Sequence, residues 1–154
     1  MQATRSVVMR RAESSTEVAA AAAIRHAVFV LEQRIFVESD RDHHDDDEAT
    51  IHLVAVVDGQ VAGTVRIYAL DESGTWLGDR LAVGPSFRVL QLGAGLVRLA
   101  VRTAGYLGGE IMHAHIQLPN VSFFERLGWH ASGPAEDYLG TSHLPMSIAL
   151  RRSP

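Results

Sequence analysis

The spacing of hydrophobic residues changes several times along the chain and divides it into predicted elements. Residues 6–11 alternate weakly between polar and apolar side chains, which predicts an opening strand. The alanine-rich segment 16–33 predicts a helix, with Ser14, Ser15 or Thr16 available as its N-terminal cap. The chain therefore begins with a strand followed by a helix.

The hydrophobic period then shortens to that of β-strands. Residues 50–70 contain two β-branched runs joined by Asp58 and Gly59, a pair that tolerates the positive φ angles of tight hairpin turns. Residues 75–83 predict a third long strand. Together these segments predict an antiparallel meander.

The second half of the chain alternates between helical and extended patterns. Residues 88–106 have the apolar spacing of an amphipathic helix, and residues 110–118 read as a strand. Residues 120–128 predict a short helix, and residues 129–150 predict closing strands. This element order predicts an α/β (α+β) protein with a mixed sheet and helices packed on its faces.

Composition limits the classes of protein that this chain can be. Its 154 residues, 47% hydrophobic content and net charge of −4 predict one soluble domain over residues 1–154 and favour no nucleic acid partner. Cysteine is absent and all fourteen basic residues are arginine, which excludes thiol nucleophiles, lysine Schiff bases and the lysine of a phosphate-binding loop. Residues 18–30 are too short and too interrupted to span a membrane, so we expect a cytoplasmic protein with no membrane partner.

A glycine pair lies where a predicted strand turns into a predicted helix. Gly93 and Gly95 follow Arg88, and such a turn gathers unpaired backbone N–H groups at the positive end of a helix, which favours an anion. A dinucleotide-binding pattern would need a third glycine, where Arg98 stands. The other interpretation is that the glycines only allow the helix to pack closely on the sheet.

The neighbouring motifs give the glycine pair a context. The segments 80–83, RLAV, and 84–88, GPSFR, precede 92–101, LGAGLVRLAV, and 120–129, NVSFFERLGW, and together they resemble the Gcn5-related N-acetyltransferase (GNAT) family. Residues 28–56 and 140–146 are similar to a bacterial subgroup associated with a nitrilase gene cluster. The resemblance implies the GNAT fold, a mixed, mostly antiparallel sheet flanked by helices on both faces.

The resemblance also implies an activity and a coenzyme site. It implies direct transfer of an acetyl group from acetyl-CoA, the cosubstrate, to a small amine, with a homodimer by analogy with relatives. The backbone N–H of Val83 would meet the oxyanion formed at the thioester carbonyl. Residues implied to border the coenzyme are Leu81, Ala82, Val83, Arg88, Gln91, Gly93, Ala94, Gly95, Asn120 and Phe124.

Two positions depart from the family pattern. The family's usual arginine or glutamine lies three residues before the first glycine, where this chain has Leu90. Since Arg88 has the usual distance from Pro85, we expect two extra residues in this turn. Phe124 stands where many members use a tyrosine hydroxyl to protonate the departing sulfur. Water or Tyr138 could supply that proton instead, because a thiol with a pKa near ~8.5 leaves without a strong acid.

Amine acetylation needs a base, and several residues are candidates. Glu32, His115 and His143 could accept the proton of the amine. The acidic segment 38–49 includes Asp40 and Asp42, where the family places residues that contact the substrate. A solvated loop is the other interpretation of such a charge run. An acidic site would favour a cationic, polyamine-like acceptor by electrostatic steering.

Two other functions compete with acetyl transfer. The altered turn and Phe124 are compatible with a degenerate member that binds acyl-CoA as a sensor or interaction module. The carboxylates and imidazoles of residues 40–48 suggest a metal-dependent enzyme. Since one contiguous flexible loop rarely forms a preorganised metal site, we assign no metal ligands.

Overall fold

The computed structural model describes residues 5–138 and 140–150, with Tyr138 described by its backbone alone. Within these residues eight strands form one mixed sheet in the order β1-β2-β3-β4-β5-β8-β6, and β7 pairs with β8. Every neighbouring pair is antiparallel except β4 and β5, which are parallel. The strands are β1 Val7–Arg11, β2 Ile51–Val57, β3 Gln60–Ala69, β4 Thr75–Val83, β5 Ile111–Gln117, β6 His130–Ala131, β7 Glu136–Tyr138 and β8 Thr141–Ala149.

Three α-helices accompany the sheet in the described part of the chain. Helix α1, Ser15–Arg25, continues directly into a π-helical segment, His26–Glu32, so the predicted helix over 16–33 is confirmed with a wider last part. Its cap is Ser14, whose hydroxyl accepts a hydrogen bond from the Glu17 amide at 3.2 Å. The others are α2, Leu92–Tyr106, and α3, Val121–Arg126. No described helix has the length and apolar character needed to cross a membrane.

The helices cover both faces of the sheet because successive strand residues point to opposite sides. In β2, Leu53 and Ala55 belong to the large core formed with α2, whereas Val54 and Val56 pack with Ala21 of α1. Both faces of β2 are therefore apolar, as in a strand between two helical layers. The predicted fold class is confirmed.

Two local predictions, the turn at Asp58 and Gly59 and the start of the helix near Gly93, can be compared with the structure. Asp58 and Gly59 have φ angles of 49° and 83°, so the predicted tight turn between β2 and β3 is confirmed. The prediction that α2 begins at Arg88 is wrong. Residues Pro85–Leu90 form a 3₁₀ turn, and α2 begins only after Gln91, whose left-handed backbone separates the two.

Strand β4 contains a bulge that reorients its side chains. Thr64 faces Ala82 and Arg66 faces Asp79, so one residue of β3 lies opposite two residues of β4. Arg80 in the bulge has a φ of 56°. Because the bulge interrupts the alternation, Asp79 and Arg80 both join ion pairs on the α1 face.

The parallel strands β4 and β5 separate soon after they meet. Their pairing covers only Thr75 to Leu77 of β4, against Ile111 to His113 of β5. Beyond these residues β4 stays paired with β3 and β5 with β8, while the space between β4 and β5 widens. The fold thereby opens a cleft through the middle of the sheet.

Candidate active site

The cleft between β4 and β5 opens towards both helical layers and encloses about 150 Å³. Towards α2 and α3 its walls include Val97, Asn120 and Phe124, and we call this opening the α2 mouth. Towards α1 its walls include Phe29, Ile35, Phe36, His115, Gln117 and His143, and we call this opening the α1 mouth. A ligand in one mouth can therefore meet a ligand in the other inside the sheet.

The start of α2 lies beside the α2 mouth and is suited to an anion. Gln91, the residue before the helix, has φ 53° and ψ 47°, and no described side chain caps the helix. The first backbone N–H groups of α2 have no acceptor within the helix, and the helix dipole adds positive potential there. These groups can bind phosphate oxygens.

The two glycines of this turn have different surroundings. A Cβ built on Gly93 would have one neighbour within 4 Å, the Phe123 Cζ atom at 3.7 Å. A Cβ on Gly95 would lie 2.5 Å from the Met9 sulfur on β1. Gly95 therefore allows α2 to pack on the sheet, which is the structural interpretation of the pair, whereas Gly93 leaves space on the side of Phe123.

Arg88 and Glu32, two predicted site residues, contact each other. The Arg88 guanidinium donates two hydrogen bonds to the Glu32 carboxylate, at 2.8 and 2.5 Å, although the residues are 56 positions apart. Both side chains are nearly half exposed. The hydrogen bonds from Arg88 lower the pKa of Glu32, which makes this carboxylate a weaker base.

The end of β4 presents backbone and side chains to different partners. Leu81 and Val83 pack in the core against α2, whereas Ala82 is buried beside Phe29 on the α1 face. The Gly84 amide donates to the Ala62 carbonyl on β3 at 2.8 Å. Since N–H groups alternate in direction along a strand, the N–H of Val83 points away from β3, towards the cleft.

Polar side chains from β5 and β8 line the α1 mouth. His115 lies opposite Pro145, and Gln117 lies opposite His143, so these positions share one face of the sheet. His115 Nδ1 lies 3.4 Å from the Glu136 carboxylate on β7. His143 is buried, and its Nδ1 donates to the Thr141 carbonyl at 2.7 Å.

Gln33 and Gln117 connect the two walls of the α1 mouth. The Gln117 amide donates to the Gln33 side-chain oxygen at 3.0 Å, although 84 residues separate them. Gln33 directly follows the π-helical segment after α1, whereas Gln117 ends β5. This hydrogen bond therefore joins the helix layer to the far side of the cleft.

Beside the α1 mouth, arginines and aspartates form a buried cluster that we call the ionic network. Arg25 donates to Asp45 at 2.7 and 3.0 Å and to Asp40 at 2.6 Å. Arg66 donates to both oxygens of Asp79 at 2.8 and 2.7 Å, and also to Asp42 and Asp45. The ionic network consists of Arg25, Asp40, Asp42, Asp45, Arg66, Asp79 and Arg80.

The ionic network corrects both interpretations of the acidic segment. Asp40 is 2% exposed and Arg25 is 1% exposed, so this part of the segment is not a solvated loop. Asp42 accepts hydrogen bonds from Arg66 and Arg80, and therefore neither aspartate is a free carboxylate for substrate. The network instead fastens residues 40–45 to the sheet.

Burial and hydrogen bonding act in opposite directions on these carboxylates. Burial alone would raise the pKa of Asp45, but hydrogen bonds from Arg25 and the Asp42 amide hold it well below its usual range. Asp42 shows the same balance, with Arg66 lowering its pKa. His52 next to the network has a lowered pKa because burial disfavours its charged form. Asp42 and Asp45 are therefore ionised at neutral pH.

The histidines of the acidic segment have aromatic contacts. His44 stacks on Tyr68 with ring centroids 3.7 Å apart, and His43 lies 4.0 Å from His44. Over residues 5–138 and 140–150, no three histidine, aspartate or glutamate side chains are grouped as a metal site. Three of the carboxylates that suggested a metal-dependent enzyme, those of Asp40, Asp42 and Asp45, are bonded to arginines.

The family model described as the acetyltransferase (GNAT) family matches residues 16–129. The chain belongs to this family. The match covers both predicted motif regions, the turn before α2 and the segment around α3. No comparison supports the narrower placement in a subgroup associated with a nitrilase gene cluster.

Solved structures with this fold cover almost the whole chain. An acyl-CoA N-acyltransferase from Pseudomonas aeruginosa has a TM-score of 0.79 and 22% identity, over 97% of this chain and 100% of that one. BjaI, a CoA-dependent acyl-homoserine lactone synthase solved with SAM and isopentyl-CoA, has a TM-score of 0.80 and 17% identity, over 96% of this chain and 85% of that one. An aminoglycoside 6'-N-acetyltransferase complexed with coenzyme A has a TM-score of 0.75 and 13% identity, over 96% of this chain and 99% of that one. At these identities the likeness shows the fold.

The GNAT motif can now be aligned from backbone geometry. Arg88 lies three residues before Gln91, which adopts the left-handed conformation that favours glycine. This is the family's spacing between the arginine and the first glycine, so Gln91 fills the glycine position and Gly93 follows two residues later. One replacement at Gln91 accounts for this spacing as well as two extra residues do, so the prediction of extra residues stays untested.

The remaining predicted residues lie at the α2 mouth or outside the described side chains. Asn120 precedes α3 and lines the cleft, and Phe124 is buried against Phe123 and Trp129 at right angles to both rings. Ala94 is half-buried in the first turn of α2. The backbone of Tyr138 pairs with Thr141, but its side chain is outside the described part, so its proposed role stays a prediction.

Sequence reasoning missed Glu136, Gln33, Gln117 and the pairing within the ionic network. One signal for the network was available: Arg66 stands inside a β-branched strand, where an arginine needs a buried partner. No local pattern marks Glu136, because its contact with His115 depends on the pairing of β8 with both β5 and β7.

Proposed function

We propose that this protein transfers an acyl group, acetyl being the expected one, from coenzyme A to a small amine. The observation that carries the proposal is the cleft, which passes through the sheet from the uncapped start of α2 to a pair of histidines. A thioester entering by the α2 mouth and an amine entering by the α1 mouth would meet between β4 and β5. Placing two reactants in one orientation is a large part of catalysis in such transfers.

Three features of the α2 mouth support coenzyme A. The first turn of α2 lacks a described side-chain cap, and Gly93 leaves space beside Phe123. Arg88 is nearly half exposed and is available to a pyrophosphate that competes with Glu32. The coenzyme would supply the activated acyl group, while these residues bind and orient it.

The reaction requires a base in the α1 mouth. The neutral amine nitrogen attacks the thioester carbonyl carbon, and a C–N bond forms as the C–S bond breaks. The amine loses one proton to the base, and the thiolate takes up one proton as it leaves. The Val83 N–H would stabilise the negative charge on the carbonyl oxygen.

His115 is the base that the contacts favour. It lines the cleft, and Glu136 lies 3.4 Å from its Nδ1, a position from which a carboxylate can orient the ring. Glu32 is less suited because Arg88 lowers its pKa. His143 lines the same mouth and is held by Thr141, so its role would be to position the acceptor.

A thiol-release assay tests this proposal without background, because the protein has no cysteine. His115→Asn should lower kcat by about 10²-fold or more, the usual contribution of a general base. His113→Asn is the matched control, since His113 lies on the same face of β5, two residues away. Equal activity of both variants and the wild type would remove His115 from the mechanism.

A coenzyme-binding sensor is the second candidate function. Phe124 favours it, because this buried ring supplies no hydroxyl where many GNAT members have a tyrosine. Micromolar binding of acetyl-CoA without thiol release for any amine would support the sensor. Release with at least one amine would support the transferase.

A further inference from the structure

The α1 mouth has an aromatic wall that the sequence motifs do not announce. Phe29 and Phe36 meet edge to face, with ring centroids 6.5 Å apart and an angle of 75° between the rings. The amides of Ile35 and Phe36 both donate to the Phe29 carbonyl, at 2.9 and 3.3 Å, which folds this segment back onto the π-helical turn. The side of the mouth that an acceptor would meet first is therefore apolar and fixed by backbone hydrogen bonds.

The charges next to this wall largely cancel. The ionic network places three guanidinium groups against four carboxylates, which leaves a formal charge of −1. Of these carboxylates, Asp40, Asp45 and Asp79 have side-chain exposures of 2%, 3% and 17%. Asp42 is 32% exposed and already contacts Arg66 and Arg80. The network itself therefore offers little attraction to a polycation, and the exposed carboxylates of the acidic segment, Asp46, Asp47 and Glu48, do not line the cleft.

A positive group also touches the aromatic wall directly. The Arg80 guanidinium carbon lies 4.6 Å from the centre of the Phe36 ring, so one face of this ring is covered by a cation. Of the carboxylates farther from this ring, Glu32 pairs with Arg88, and Glu136, 53% exposed, lies 3.4 Å from His115 Nδ1. A second ammonium group beside the Phe36 ring would meet Arg80, and the carboxylates around Arg80, those of Asp40, Asp42 and Asp79, are already paired with arginines.

We propose that the acceptor is a monoamine with an apolar, preferably aromatic, body, and not a polyamine. The proposal rests on the N-acyl transfer proposed above and names the acceptor class for it. An aromatic body packed against Phe29 and Phe36 gains from area burial and from edge-to-face geometry. An unpaired second ammonium in the same place loses its hydration without compensation.

Phenethylamine and putrescine form the central comparison of the test, with butylamine and spermidine as further acceptors. The measurement is kcat/KM for thiol release from acetyl-CoA, together with calorimetric binding of each amine to the complex of the protein with coenzyme A. We expect kcat/KM for phenethylamine to exceed that for putrescine by about tenfold or more, from ring packing and unpaired charge together.

Two substitutions separate ring packing from folding. Phe36→Leu keeps an apolar side chain and should lower kcat/KM for phenethylamine about five- to tenfold, a larger loss than for butylamine, which has no ring to pack. Val37→Ala is the matched control, because Val37 is 93% exposed and does not line the cleft. The midpoint of thermal unfolding of each variant shows whether the fold is intact.

The outcomes distinguish this inference from the function on which it rests. Higher kcat/KM for putrescine or spermidine than for phenethylamine would overturn the acceptor class and leave acyl transfer standing. Selective calorimetric binding of phenethylamine without thiol release would keep the acceptor class and overturn acyl transfer. If Phe36→Leu binds and acetylates phenethylamine as well as the wild type does, the aromatic wall does not select the acceptor.

Discussion

The chain pairs arginine with carboxylate in two regions, and burial gives the pairs different consequences. In the ionic network, Arg66 is 1% exposed and donates hydrogen bonds to three aspartates. Beside the α2 mouth, Arg88 and Glu32 are exposed by 46% and 41%, and within residues 5–138 and 140–150 they pair with each other alone. A buried pair cannot lose one partner without leaving an uncompensated charge, whereas an exposed pair can exchange its partner for water or a ligand.

The two mouths of the cleft therefore differ in how firmly their charged side chains are held. The ionic network holds residues 40–45 and the α1 mouth in one shape, because each carboxylate is bonded to a guanidinium from another element. The Arg88–Glu32 pair can open for an anion at little cost, because solvent already reaches both groups. The fixed charges are therefore beside the α1 mouth, where we propose the acceptor, and the exchangeable charges beside the α2 mouth, where we propose the coenzyme.

Removing Arg66 should give the largest loss of stability. Arg66→Met keeps an apolar stem but removes the main donor of Asp79 and Asp42, whose side chains are 17% and 32% exposed, and should cost about 3 kcal/mol of unfolding free energy. Urea unfolding measures this, with Arg88→Met as the control that keeps the wild-type midpoint. Similar midpoints for both variants would contradict the distinction between buried and exposed pairs.

The ionic network also marks the limit of what the sequence predicts. Hydrophobic period and turn chemistry located the strands, α1 and the Asp58-Gly59 hairpin, because these signals lie within a few residues of each other. The partners Asp42 and Arg66 are 24 residues apart, and nothing local in the acidic segment shows that it is buried. A run of aspartates has the same appearance on a solvated loop and on a loop anchored by distant arginines.

A substitution at the start of α2 should weaken the binding of coenzyme A and leave the fold intact. Gly93→Glu adds a carboxylate at the start of α2, where a Cβ has only Phe123 within 4 Å, so the side chain fits while its charge repels phosphate. We expect coenzyme A affinity to fall by about 100-fold or more and the unfolding midpoint to change little. Calorimetric titration measures the affinity. The control Gly93→Gln, which adds a neutral side chain of similar size, should lose less affinity; micromolar affinity in Gly93→Glu would mean that the phosphates bind elsewhere.

A substitution at Gln91, in the same turn, should have a smaller effect and should stabilise the protein. Gln91 holds a left-handed conformation at φ 53°, and Gln91→Gly should raise the free energy of unfolding by about 1 kcal/mol because glycine adopts it without a steric penalty. Gln91→Ala keeps the Cβ and should show no gain, which isolates the backbone term from loss of the amide. A gain of equal size in both variants would show that the side chain, and not the backbone, is strained.

The smallest expected effect tests the exchangeable pair itself. Glu32→Gln removes the charge that competes with pyrophosphate for Arg88, so coenzyme A should bind about two- to fivefold more tightly, as expected for an exposed ion pair. The gain should shrink as salt concentration rises, because salt screens the pair that has been removed. Glu32 was also a candidate base, and the two roles move different constants: release of Arg88 lowers the KM for acetyl-CoA and leaves kcat unchanged, whereas loss of a base lowers kcat by about 10²-fold. A collapse of kcat would therefore return Glu32 to the chemistry and show that its carboxylate, despite its lowered pKa, leaves Arg88 when the coenzyme binds.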